Sequence, residues 1–175
     1  MVPILEVSLA LAFFVNKAFL ITGKRIGWFV GFVAALFSVV YYLNLELYVF
    51  TVYGGGFAIL TWHGFRTKGT RSTQVAMRLR WVTTTIMGVL ACFTFSGLMT
   101  VVELAAALLG LWGAYFLTGE YVRVGWMAWS VGHVLTWLLF AEKGQDFFAH
   151  FQLASAIIAV AGAYKGGNSV IESSA

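Results

Sequence analysis

Seven apolar stretches follow one another along this chain with mostly short polar turns between them, at residues 3–22, 27–43, 47–65, 81–95, 99–117, 125–141 and 147–164. No other feature limits the fold so strongly. A helix needs roughly 17–20 apolar residues to cross the hydrocarbon core of a bilayer, and it satisfies its own backbone groups there. The composition agrees: 61% of residues are hydrophobic and 10% charged, against about a quarter charged in soluble domains. The chain is therefore expected to be an all-α integral membrane protein. Residues 81–118 as one helix would be about 57 Å long at 1.5 Å per residue, far beyond a bilayer. Two spans are expected there, parted at Ser96-Gly97.

Two segments read alike and run in the same direction. Arg25-Ile26-Gly27-Trp28 opens a run ending in Trp62-His63-Gly64, and Arg123-Val124-Gly125-Trp126 opens one ending in Val160-Ala161-Gly162. Before them, Leu5-Glu6-Val7-Ser8-Leu9-Ala10 resembles Val102-Glu103-Leu104-Ala105-Ala106-Ala107. Internal repeats in an apolar chain mark carriers built from half-domains. The organisation predicted is 3+1+3: a three-helix repeat at 1–69, a basic loop and linking helix at 70–98, a second three-helix repeat at 99–167 and a tail at 168–175. With one inverting span between them the repeats are parallel, the arrangement of the sugar carriers called SWEETs.

Basic residues set the orientation. With seven spans, Lys24, Arg25, Arg66, Lys68, Arg71, Arg78, Arg80, Arg123 and Lys165 fall on one side and Lys143 alone on the other. The N-terminus is thus expected outside and the C-terminus in the cytoplasm, in a multi-pass cell (inner) membrane protein. The basic stretch from Arg66 to Arg80 reads as a solvated cytoplasmic loop rather than a nucleic-acid site. No basic n-region precedes the first apolar run, so that span is expected to be retained. The single cysteine, Cys92, excludes an internal disulfide.

Between residues 6 and 69 an acidic residue lies early in the first span, and a Gly-Lys turn follows it. The second span then starts with an aromatic-Gly pattern and the third with Leu47-Tyr48, while Gly64 precedes a basic tail. In this order and spacing the chain resembles the PnuC-type nicotinamide riboside transporters over nearly its whole length, best over residues 6–69. In the second half, Gly125-Trp126 followed by Trp129 looks like the family's paired tryptophans on the sixth span. The family generally places an asparagine one turn after the second tryptophan; here Gly132 stands three residues on, with His133 beside it. SWEET carriers use hinge prolines in their repeated spans, and this chain has one proline, Pro3. The resemblance implies facilitated diffusion of nicotinamide riboside or a related nucleoside-like vitamin, sustained by phosphorylation in the cytoplasm, and a homotrimer. No cofactor or metal is implied.

Trp126, Trp129, His133 and Trp137 share an arc of about 80° on the sixth span at 100° per residue. Packing or interfacial anchoring accounts for tryptophans at such positions, but an ionisable group at mid-membrane faces the bundle interior by default. Nicotinamide riboside is a pyridinium on a ribose, and stacked indoles attract such a cation by about 0.5–2 kcal/mol each. On the seventh span Gln145, Phe148, Gln152 and Ser155 share a second arc of about 80°. The amide and hydroxyl groups suit a ribose or carboxamide, or else bond helix to helix. Tyr53 on the third span completes the candidate substrate-binding set.

Lys17 is expected to snorkel or to pair. Glu6 and Glu103 are expected to reach interfacial water. Zinc-type spacing among His63, His133 and His150 is absent, as are a Gly-x-Ser-x-Gly elbow and paired aspartates at membrane depth. An enzyme is therefore not expected. Two other classes stay open: another small-solute carrier or channel of the same architecture, and a non-transporting membrane subunit. A central cavity lined by the sixth and seventh spans separates carrier from subunit.

Overall fold

Each apolar stretch folds as one helix, because a helix is the local structure that closes every backbone hydrogen bond within a single segment. The computed structural model describes residues 2–67, 74–117 and 121–172. Among them the order is α1 (Val2–Ile21), α2 (Ile26–Asn44), α3 (Tyr48–Thr67), α4 (Gln74–Phe93), α5 (Leu98–Leu117), α6 (Val122–Glu142) and α7 (Asp146–Glu172), with no strand. Five of these, α1, α2, α5, α6 and α7, are long and apolar enough to cross a membrane. α3 and α4 have the length, 20 residues each. They are more polar: α3 holds the Gly54-Gly55-Gly56 run, His63 and Arg66, and α4 opens with Gln74, Arg78 and Arg80.

Polarity is arranged inside out relative to a soluble bundle. Asn16, Lys17, Thr61, Glu103, Thr136 and Gln152 are buried, whereas Phe37, Ile59, Phe93, Leu98 and Ile157 point outward. Only an apolar surrounding makes such a surface stable, and this is the make-up of a multi-pass membrane protein.

The split of the long apolar run between α4 and α5 falls where the sequence predicts. Gly97 adopts φ +112°, a conformation that L side chains resist, and the Thr100 hydroxyl accepts the Ser96 N–H at 3.0 Å. The start of α4 differs from expectation. It begins at Gln74, seven residues ahead of the predicted span, so Arg78 and Arg80 are helical rather than part of a solvated loop. The reason is packing: Arg80 is buried, with its guanidinium 4.0 Å from the Trp112 ring and 4.1 Å from the Tyr115 ring. Arg66 lies in the last turn of α3, and Lys68 and Arg71, the remaining basic residues of that loop, lie outside the described residues.

Helix packing follows a closed circuit. α1 packs on α2, α2 on α3, α3 on α5, α5 on α6, α6 on α7 and α7 back on α1, while α4 touches α3 and α5 alone. Small residues set the closest approaches. A Cβ at Gly64 would lie 2.6 Å from the Trp28 ring and one at Gly162 would lie 2.5 Å from the Trp126 ring, so each tryptophan lies flat on a bare stretch of backbone. Gly27 abuts the backbone of α1 at Asn16 and Leu20, and Gly125 abuts that of α5 at Gly113 and Leu117.

Two carboxylates join elements far apart in sequence. Glu6 on α1 accepts the backbone N–H of Phe148 in the first turn of α7 at 2.8 Å. Glu103 on α5 accepts that of Phe50 in the first turn of α3 at 2.9 Å. Both are buried. Sequence reasoning placed them in interfacial water; instead each satisfies a backbone donor that a helix N-terminus leaves without an intrahelical partner.

Candidate functional site

The circuit of six helices encloses a cavity to which every one of them contributes. α1 provides Phe13, Asn16 and Lys17, α2 provides Tyr42, α3 provides Phe50, Tyr53 and Phe57, and α5 provides Ala106 and Gly110. α6 adds Trp129, Gly132, His133 and Thr136, and α7 adds Gln152. Its volume is about 40 Å3, room for two or three waters and well short of the roughly 300–1,000 Å3 of a pocket that enfolds a drug-sized ligand.

Glycines on α5 bring the rings of Trp129 and Tyr53 to the wall. A Cβ at Gly113 would collide with the Trp129 ring, and one at Gly110 would lie 2.8 Å from the Tyr53 hydroxyl. With neither present, the Trp129 indole N–H reaches the Gly110 carbonyl at 2.8 Å. That bond fixes the plane of the indole. Phe57 packs against it with centroids 6.1 Å apart, tilted by 54°, and His133 stands edge-on at 6.3 Å.

The polar part of the wall is small. His133 Nδ1 lies 2.7 Å from Gln152 Oε1. A carbonyl oxygen can only accept, so Nδ1 carries the proton in this pairing and Nε2 presents a lone pair. Nε2 is buried and has no protein partner among the described residues. Asn16 is held from behind: its Nδ2 donates to the Gly27 carbonyl at 2.7 Å, and the missing side chain at Gly31 gives its amide room. The Thr136 hydroxyl is committed to the Gly132 carbonyl at 2.7 Å.

Lys17 does not snorkel. It is 3% exposed, and its one hydrogen bond among the described residues is a long one, 3.5 Å to the Phe13 carbonyl. The ammonium also sits 5.6 Å from the Phe13 ring. No carboxylate lines the cavity among the described residues.

Of the eight side chains predicted from sequence, Tyr53, Trp129, His133 and Gln152 meet at the cavity. The other four stand elsewhere. Trp126 lies behind Trp129, edge-on to it at 5.4 Å and flat against Gly162. Trp137 is half-buried against the core, and Gln145 accepts the Tyr41 hydroxyl at 3.1 Å ahead of α7. Ser155 is fully buried, and its hydroxyl has no partner among the described residues.

Sequence reasoning missed Asn16 and left Lys17 out of the site, expecting it to snorkel or to pair, although a polar pair inside an apolar span is itself a signal that the helix face points inward. It also missed Tyr42, Phe50 and Phe57, which no local signal distinguishes from packing aromatics. Compared with protein families, with characterised proteins and with solved structures, the chain matches none of them.

Proposed function

We propose that this protein is a membrane carrier that moves a small, flat, hydrogen-bonding solute by facilitated diffusion. Nicotinamide riboside and related nucleoside-like vitamins are the first candidates, on the resemblance to the PnuC-type transporters. The observation that carries the reading is the cavity at the centre of six helices, where ring faces and a few polar atoms converge from both α6 and α7. The lining of this space from both α6 and α7 favours a carrier over a membrane subunit that serves a partner. At about 40 Å3 the cavity admits such a solute only once the helices around it part.

The reading includes a 3+1+3 arrangement of parallel repeats with α4 as the inverting span. Recurring contacts support it. Trp28 on Gly64 and Trp126 on Gly162 stand at the same offset in sequence, as do Gly27 against α1 and Gly125 against α5. The acids of α1 and α5 cap α7 and α3, so each three-helix unit caps the last helix of the other. Within this frame the differences between the units favour an asymmetric site. Ala35 and Gly54 occupy the positions that correspond to His133 and Gln152. Asn16 and Lys17 of the first unit correspond in turn to Ala114 and Tyr115, so each unit brings polar groups that the other lacks.

Seven spans that alternate in direction put Lys24, Arg25, Arg66, Arg78, Arg80, Arg123 and Lys165 at one end, which the positive-inside rule assigns to the cytoplasm. The C-terminus is then cytoplasmic, in the cell membrane, and the assembly a homotrimer by resemblance. The test is a thermal-shift screen of the purified protein with nicotinamide riboside, thiamine, riboflavin and sugars. Stabilisation by one vitamin class alone is expected, and stabilisation by none would remove the reading.

A further inference from the structure

Lys17 has no counterpart in a site built for a cation. An ammonium buried to this degree is costly unless something neutralises or hydrogen-bonds it. Among the described residues the protein supplies one long bond to a carbonyl and a phenyl ring at 5.6 Å. Around it the cavity offers Asn16, Tyr42, Tyr53, His133 and Gln152, none of them acidic. A charged Lys17 has three N–H donors, so with one on the Phe13 carbonyl two are left for whatever occupies the cavity, and an anion there is what would hold the group in its charged form.

We propose that Lys17 makes this site selective for a flat-ringed solute bearing a carboxylate, over the otherwise identical carboxamide. This rests on the carrier reading and names the charge of its substrate. A carboxylate against Lys17 completes an ion pair whose other half the protein has already desolvated. The cost of burying the ammonium is then spent before binding, and preorganisation of that kind favours the matching ligand. The aromatic walls accept the ring of either solute. A solute with net positive charge, nicotinamide riboside included, meets a like charge there, so the class proposed above narrows to its acid members. His133 Nε2, with its free lone pair, is left to accept a hydroxyl of the solute.

The matched probes are nicotinic acid riboside and nicotinamide riboside, which share ring, ribose and pyridinium charge and differ in carboxylate against carboxamide. Nicotinate and nicotinamide repeat the comparison without the ribose. Dissociation constants on purified wild-type protein, and uptake into proteoliposomes, are expected to favour the acid of each pair at least tenfold. Lys17→Met keeps the length of the side chain and removes its charge; it is expected to bring acid and amide within twofold of each other. Lys17→Arg is expected to keep the acid preference, which separates loss of charge from loss of fold. Equal affinity of the wild type for acid and amide, or an acid preference that survives in Lys17→Met, overturns the inference while leaving a riboside carrier in place. Failure of all four compounds to bind the wild type removes both.

Discussion

Removing the Glu103 carboxylate should loosen the joint between α5 and α3 by an amount that the local geometry sets. Its oxygen accepts the Phe50 N–H at 2.9 Å and the residue is 7% exposed. In Glu103→Ala that N–H, in the first turn of α3, loses its acceptor. A buried donor stripped of a charged acceptor costs about 1.5–3 kcal/mol, and the N-terminal end of the helix loses about 0.3–1 kcal/mol of charge–dipole attraction. A recess of about 250 Å3 lies beside the carboxylate, lined by Glu46, Thr100 and Lys143 among others, and it lets water replace part of the lost bond. The expected loss is therefore about 2 kcal/mol rather than the sum. Glu103→Gln keeps an acceptor oxygen and should lose about 1 kcal/mol or less. Unfolding titrations in mixed detergent micelles, followed by tryptophan fluorescence, measure the difference, with the exposed Glu142→Ala as the control at the same end. If Glu103→Ala costs no more than Glu142→Ala, or if alanine and glutamine are equivalent at this position, the capping argument is wrong.

The remaining predictions concern the tryptophans and the polar wall. Trp129→Ala should weaken solute binding by about 1–2 kcal/mol through lost ring contact, whereas Trp126→Ala should lower stability and leave affinity unchanged; calorimetry and unfolding titrations separate the two. Gly162→Ala should destabilise the fold by about 1–3 kcal/mol through overpacking, and the smaller ring in Trp126→Phe should recover part of that in the double variant. Gln152→Leu leaves the His133 Nδ1–H without its acceptor and should cost about 1–3 kcal/mol in stability. The double variant with His133→Leu should cost less than the sum of the two singles, as coupled residues do.

Helices were the most legible part of the chain, since length and apolarity decide them locally. The glycine at the α4–α5 break was legible too. The start of α4 was not: the sequence around Arg80 reads as a charged loop, and only Trp112 and Tyr115, some thirty residues on, provide the rings that bury it. The cavity was half legible. His133 and Gln152 stood out because polar groups at membrane depth need partners, and they partner each other. Trp126 shared their helix face by angle, yet it lies on Gly162 outside the cavity wall. An arc of 80° on one helix spans both the cavity and the seam with the next helix, and which part a ring occupies depends on the glycines opposite. Lys17 was visible and misjudged, because snorkelling assumes that a membrane–water boundary lies within reach. In this fold the side chain stays buried at the cavity wall, turned back along α1 to the Phe13 carbonyl.

Transport of labelled riboside into proteoliposomes, with no kinase inside, tests the central claim most directly. Wild-type protein is expected to bring the internal concentration up to the external one and no further, unaffected by imposed proton or sodium gradients, with Trp129→Ala slowing the approach. Uptake no faster than in protein-free liposomes would contradict a carrier. Accumulation above the external concentration that collapses with an ionophore would contradict facilitated diffusion.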